Sequence, residues 1–276
     1  MISKTFRIAR VIVLASFGLS STAWGATCSS ASLSGTYGFQ HDGTDSSGAP
    51  ATAAVSQIAF DSTTGTFTGE TTASHEGVIA TESLTGTYTV ASDCTGTGTP
   101  TAGSPFSLVV TSTGFLAVHP FSEGFAVKRG TPTCTNAALM GSFGFETTGV
   151  FLAGAPAAGW VAFIGELKLT INPSGEGVIS GHLAGSEGDT TLTFAPVTGA
   201  FTVDKDCRGR ATLSSKGRPE MRFTFLVVDS GKRMLAIETD PDTVVSATMV
   251  KSDEDEAMQD TASMQDTTPS VAAVSD

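Results

Sequence analysis

One strand-and-turn occurs twice in this chain and constrains it more than any other feature. It runs Leu84-Thr-Gly-Thr-Tyr-Thr-Val-Ala-Ser-Asp-Cys-Thr-Gly96, and again Val197-Thr-Gly-Ala-Phe-Thr-Val-Asp-Lys-Asp-Cys-Arg-Gly209. Leu84, Gly86, Tyr88 and Val90 alternate with threonines, as Val197, Gly199, Phe201 and Val203 alternate with Thr198, Ala200 and Thr202. A period of two makes each copy a strand with one buried face. Both copies end in an Asp-Cys turn, at Cys94 and at Cys207.

Three more landmarks recur in the same order. Ser32–Phe39 matches Ala138–Phe145, Gly65–Gly69 matches Gly177–Gly181, and Phe106–Val110 is set against Thr224–Val228. Matched landmarks in a fixed order define an internal repeat. The units are 26–130 and 131–251, joined at Gly130-Thr-Pro-Thr133. Each is long enough to bury its own core.

Turn residues punctuate both units every ~10 residues, as in barrels and sandwiches. In the first unit, strands are expected at Gly35–Gln40, Ala53–Phe60, Thr66–Thr72, Glu82–Ala91, Phe106–Thr111, Phe115–His119 and Phe125–Arg129. The second unit reads as more strands, with Thr190–Phe194 and Ala200–Val203 as separate ones. Gly35, Gly86, Gly141 and Gly199 fall on the apolar rows, where glycine marks a sharp bend. The fold expected is all-β: two tandem small antiparallel up-and-down β-barrels, with a sandwich as the alternative.

The N-terminus is different material. Lys4, Arg7 and Arg10 precede a short apolar run, Val11–Leu19, and Ala23-Trp24-Gly25 supplies small residues for cleavage. Residues 1–25 therefore read as a secretory signal peptide, too short for a membrane span. A lipoprotein acceptor at Cys28 is the weaker reading, because Gly25-Ala26-Thr27 lacks the usual leucine. Export implies a periplasmic or extracellular location and an oxidising compartment. The four cysteines allow three pairings. The repeat selects Cys28–Cys94 and Cys134–Cys207, one early and one late cysteine per unit. At the other end, 252–276 carries Asp253-Glu-Asp-Glu256 and no aromatic or basic residue. It is expected to be a disordered acidic tail.

The chain has a net charge of −12. Without the leader, 12 basic residues face 27 acidic ones, a net −15. Nucleic acid and anionic membranes are thereby disfavoured as partners, and no later stretch is apolar enough to span a bilayer. Ten of the basic residues lie in the second unit, against Lys128 and Arg129 in the first. Arg208, Arg210 and Arg222 are a candidate anion-binding face, against the plainer reading of a solvated outer surface.

No catalytic, cofactor or metal signature is present. The chain has no Gly-x-Ser-x-Gly elbow and no phosphate loop. The cysteines lack zinc spacing, and no EF-hand spacing accompanies Asp189, Asp204 and Asp206. His41, His75 and His119 have no histidine counterpart in the second unit, and His182 aligns near Glu70. Taken singly, each reads as structural or exposed. Trp160 lies in an apolar stretch, Ala155–Ile164, that suits a contact with the other unit or a second subunit.

The pattern Cys-x4-Leu-x-Gly-x-Tyr/Phe-x-Phe, at Cys28–Phe39 and Cys134–Phe145, combines with Gly-x-Tyr/Phe-x-Val-x-x-Asp-Cys-x-Gly at Gly86–Gly96 and Gly199–Gly209. It resembles a pattern of uncharacterised exported bacterial proteins and is loosely similar to calycin-type barrels such as the avidins. The resemblance implies a barrel and carries no activity. The tryptophans of an avidin pocket are missing, so biotin is not implied. The expected function is an exported, non-catalytic binding protein for a small apolar or amphipathic ligand or a cell-surface partner. The alternatives are a barrel-mouth enzyme (cyclase, isomerase or hydrolase) and a structural envelope component. The sequence names no cofactor, ligand or oligomeric state.

Overall fold

The structure is a computed structural model describing residues 27–252, apart from 45–47, 132, 156–157 and 189. The expected leader and all but the first residue of the expected tail lie outside the described residues.

The first barrel consists of β1 (Gly35–Thr44), β2 (Pro50–Asp61), β3 (Thr66–His75), β4 (Val78–Val90), β5 (Thr95–Pro100), β6 (Phe106–Val110), β7 (Gly114–His119) and β8 (Ser122–Lys128). Each strand pairs antiparallel with the next, and β8 closes on β1. The second consists of β9 (Gly141–Phe151), β10 (Gly159–Ile171), β11 (Gly177–Glu187), β12 (Thr190–Val203), β13 (Arg208–Ser215), β14 (Met221–Val228), β15 (Arg233–Glu238) and β16 (Thr243–Lys251), with β16 closing on β9. A short 3₁₀ turn precedes each barrel, at Ser30–Leu33 and Asn136–Leu139, and buries Leu33 and Leu139. Both disulfides form as the repeat predicts, Cys28–Cys94 and Cys134–Cys207. The two bridges fit an oxidising environment.

Alternation decides what fills each lumen. Tyr37, Phe60, Phe67, Tyr88, Leu108 and Phe115 form the first core. Phe143, Phe163, Leu167, Leu183, Phe201, Phe225 and Met234 belong to the second. An eight-stranded barrel is just wide enough for side chains to fill or for one small ligand. Here the middle and the cysteine end of both barrels are filled.

Three sequence expectations need correction. The strand β5, Thr-Gly-Thr-Gly-Thr-Pro, carries no large apolar residue and is invisible to a hydrophobic pattern. Its glycines are required by the ring opposite: a Cβ on Gly98 would lie 2.0 Å from the Phe106 ring. For the same reason Gly86 is more than a bend, since its Cβ would lie 2.4 Å from the Phe67 ring. The two strands expected at Thr190–Phe194 and Ala200–Val203 are one strand, β12, with a register shift opposite Leu183/Gly185. Finally, Val110 matches Val227 rather than Val228. The Val110 N–H donates to Cys94 O and the Val227 N–H to Cys207 O, both at 2.9 Å.

The barrels dock through a third apolar cluster. Ala53, Val55 and Val127 of the first meet Leu226, Val228, Leu235, Ile237 and Val244 of the second. This explains why β14 and β15 are apolar on both faces: one faces the lumen and the other faces the neighbouring barrel. Gly38 lets the two approach, since a Cβ there would lie 2.4 Å from Val228 Cγ1. Polar side chains fix the register of docking. The Gln40 amide donates to Ala236 O and Ala247 O at 3.3 Å each and accepts from Thr248 Oγ1 at 3.2 Å. Ser246 Oγ donates to Asp42 Oδ2 at 3.2 Å, Ser74 Oγ donates to Thr243 O, and Arg208 pairs with Glu70. The apolar stretch around Trp160 does not supply this interface. Val161 and Phe163 point into the lumen, while Trp160 and Ile164 are exposed.

Candidate functional site

Antiparallel order sends the odd-numbered strands of the first barrel toward one end. There the lumen row of β1 runs Tyr37, Phe39, His41; that of β3 ends Thr71, Ala73, His75; and that of β7 runs Phe115, Ala117, His119. Three histidines that are isolated in sequence therefore converge on one barrel mouth. Sequence reading missed this by weighing each histidine alone. The signal was there, because each continues the inward phase of its own strand.

The His41 ring stacks on Phe39 with centroids 5.3 Å apart, and Phe39 stacks on Phe115 at 5.6 Å. His41 Nδ1 is sealed from solvent without a hydrogen-bond partner among the described residues. Burial, followed by the nearby His75 and His119, pushes its pKa down to about 4. His41 is thus neutral at pH 7. The Thr52 hydroxyl lies 3.2 Å from His75 Nδ1, and Ser56 Oγ donates to Thr71 Oγ1 at 2.8 Å. Among the described residues no three metal-ligating side chains stand close enough to share an ion.

Register identifies the corresponding mouth of the second barrel. Tyr37 pairs through Ile58 to Gly69, as Phe143 pairs through Leu167 to Gly181. Counting along the strands, His41 corresponds to Thr147 and His75 to Glu187. Leu108 pairs with Ala117 as Phe225 pairs with Ala236, so His119 corresponds to Glu238. At two of these three positions a carboxyl stands where the first barrel has an imidazole, and at the third, Thr147, a hydroxyl.

Glu187 forms an ion pair with Arg218, whose guanidinium stands 4.9 Å from the centre of the Phe163 ring. Arg218 comes from the turn after β13; the matching loop of the first barrel, Thr101–Pro105, has no basic residue. Glu238 is 3% exposed. Burial, with the neighbouring Asp240 adding to it, pushes its pKa up to about 8. With the Arg218 charge taken up by Glu187, Glu238 holds its proton at neutral pH. A cavity of about 360 Å³ opens at this mouth, lined by Phe151, Ala155 and Met221 together with Glu187, Arg218 and Glu238.

The candidate anion-binding arginines share the outer face of β13 and β14 but are differently engaged. Arg208 pairs with Glu70 across the barrel junction and lies 3.4 Å from Asp206. Arg222 pairs with Asp240 at 2.9 Å and Glu220 at 3.3 Å, at the rim of the 360 Å³ cavity. Arg210 is exposed between them. A ligand anion at this face has to share or displace carboxylates already present.

No family model matches the chain, and no curated protein is similar to it. A solved protein with unknown function from the DUF3598 family, from Nostoc punctiforme, is similar in structure at 10% identity, covering 80% of this chain and 97% of its own, with a TM-score of 0.25. No helix among the described residues is long and apolar enough to cross a membrane.

Proposed function

We propose that the protein is an exported, non-catalytic binding protein that takes a small amphipathic ligand at the mouth of the second barrel. The observation carrying this reading is the 360 Å³ cavity itself, whose lining combines apolar side chains with an ion pair and a protonated carboxyl. Such cavities bury most of a small molecule's apolar surface and orient it through a few polar groups. Phe151 and Met221 supply the apolar contact. Glu238 supplies a hydrogen-bond donor, and Arg218 a charge held in place by Glu187. Protein in the periplasm or outside the cell would hold both disulfides oxidised.

Uptake of 1-anilinonaphthalene-8-sulfonate tests the site. The folded wild type is expected to enhance its emission saturably, and Met221→Trp, which fills the cavity, to abolish the enhancement while keeping the wild-type melting temperature within a few degrees. Equal enhancement by the two proteins, or none by the wild type, contradicts the reading.

One observation favours a second reading as a barrel-mouth enzyme. A buried carboxyl with a pKa near 8 is suited to general acid catalysis at neutral pH. In that reading Glu238 donates the proton, and Arg218 holds an anionic substrate group. Turnover of any substrate by the wild type, lost in Glu238→Gln with substrate binding retained, would favour it.

A further inference from the structure

The junction between the barrels uses one face of each, and the repeat leaves a copy of both faces uncovered. The second barrel contributes Leu226, Val228, Leu235, Ile237 and Val244, all buried at the junction. The pairings of β6, β7 and β8, set beside those of β14, β15 and β16, match Leu108 to Phe225, Ala117 to Ala236 and Gly124 to Ala247. The same five positions in the first barrel are therefore Val109, Thr111, Leu116, Val118 and Phe121. Four of them are large and apolar, and these four are 46% to 60% exposed.

The face that receives the second barrel is Gly38, Ala53, Val55 and Val127. Gly38 pairs with Val127 as Gly144 pairs with Val250, and Val55 stands three residues before Ile58 as Ile164 stands three before Leu167. The second barrel thus repeats this face as Gly144, Ala162, Ile164 and Val250. Ile164 and Val250 are 61% and 45% exposed. With Gly144 and Phe194 they line an open groove of about 650 Å³, which shares no lining residue with the 360 Å³ mouth. A Cβ on Gly38 would strike Val228 Cγ1, whereas one on Gly144 would meet nothing closer than Val250 O at 3.8 Å. The groove is therefore as open to a close approach as the first barrel is at Gly38, and nothing among the described residues makes that approach.

We propose that these two faces bind each other between copies of the chain. The open face of the first barrel of one molecule seats in the groove of the second barrel of the next, repeating the junction within the chain. Burial of the exposed apolar side chains drives the contact. It is heterologous, so it joins molecules head to tail, into rings if the rotation closes and filaments if it does not. One polar pair is kept with its sides exchanged: Ser246 Oγ donates to Asp42 Oδ2 within the chain, and the corresponding positions between chains hold Glu123 and Thr148. Two other contacts change. The Glu70–Arg208 ion pair becomes His182 and Thr95, and Gln40, whose amide donates to Ala236 O and Ala247 O, becomes Glu146. An ionised Glu146 has no proton to give the matching carbonyls of Ala117 and Gly124. The contact between copies is for that reason weaker than the one within the chain.

Sedimentation velocity of the oxidised mature protein over a concentration series tests this. The wild type is expected to form species larger than a dimer as concentration rises, because every copy carries one face of each kind. Leu116→Glu removes one face and Ile164→Glu the other. Both positions are exposed, so melting temperatures should stay within a few degrees of the wild type. Each variant alone should be monomeric, and their equimolar mixture should form dimers and stop there, since one intact face of each kind remains in the pair. Glu146→Gln, which restores the amide found at Gln40, should tighten association by about threefold or more. A wild type that stays monomeric throughout overturns the proposal, as does association that survives either glutamate substitution, or a mixture that remains monomeric. Association of Glu146→Gln no tighter than that of the wild type equally overturns it.

Discussion

Replacing Glu238 by glutamine should change how stability depends on pH, and the sign follows from the raised pKa. The folded protein holds this carboxyl's proton up to a pKa of about 8, against 4.5 for an unperturbed glutamate. Between those values the folded state binds more protons than the unfolded state, so stability falls as pH rises. Each tenfold gain in proton affinity on folding corresponds to about 1.4 kcal/mol, so the full penalty above pH 8 is on the order of 3–5 kcal/mol. Glutamine has the same shape and no proton to lose. At pH 4 the two proteins should be nearly equally stable, and at pH 9 Glu238→Gln should be the more stable by a few kcal/mol. Urea unfolding with disulfides intact, followed by Trp160 emission, reads the second barrel directly. A stability difference that stays constant from pH 4 to pH 9 would refute the reasoning, because it would mean that Glu238 titrates alike in both states.

The first mouth should respond in the opposite direction. His41 is held neutral by a pKa lowered to about 4, so stability should be lost as pH falls from about 6.5 towards 4, and His41→Leu should flatten that limb by about 3 kcal/mol, read by the near-ultraviolet circular dichroism of Tyr37 and Tyr88. Gly38→Val places branched carbon where even a bare Cβ would lie 2.4 Å from Val228 Cγ1, so it should separate the barrels without unfolding them. Small-angle scattering should then show a larger radius of gyration with unchanged far-ultraviolet dichroism. Replacing both Cys134 and Cys207 by serine opens a loop spanning 73 residues and should cost about 4 kcal/mol on the chain-entropy estimate, measured by urea unfolding of the second barrel.

The barrel architecture was legible because its signals are local and repeated. Period-two rows such as Tyr37/Phe39 and Phe143/Phe145 declare strands, and duplication pairs the cysteines. The same signals failed at β5, where Gly96 and Gly98 give way to Leu108 and Phe106, so that the information sits on the neighbouring strand. They failed at β12 because Pro196 and the register shift interrupt a strand that continues. The docking face was hidden for another reason: apolar residues on both sides of β14 and β15 say that both sides are covered, but not by what.

The sites were less legible, since they depend on closure. His41, His75 and His119 are 34 and 44 residues apart and become neighbours only when β8 pairs with β1. Glu187 and Glu238 converge for the same reason. Inward phase alone would have nominated these positions, because each lies at the outer end of a lumen row that carries no other histidine, carboxyl or basic residue. The raised pKa of Glu238 was beyond any sequence pattern, as it comes from burial beside Asp240.

Native mass spectrometry of protein purified from its own host, with Met221→Trp prepared in parallel, goes straight to whether the second mouth holds a molecule. The wild type should carry a stoichiometric adduct of small mass that is released on denaturation, and the variant should carry none. Bare wild-type protein, or the same adduct on both, would contradict a ligand seated between Met221 and the Glu187–Arg218 pair.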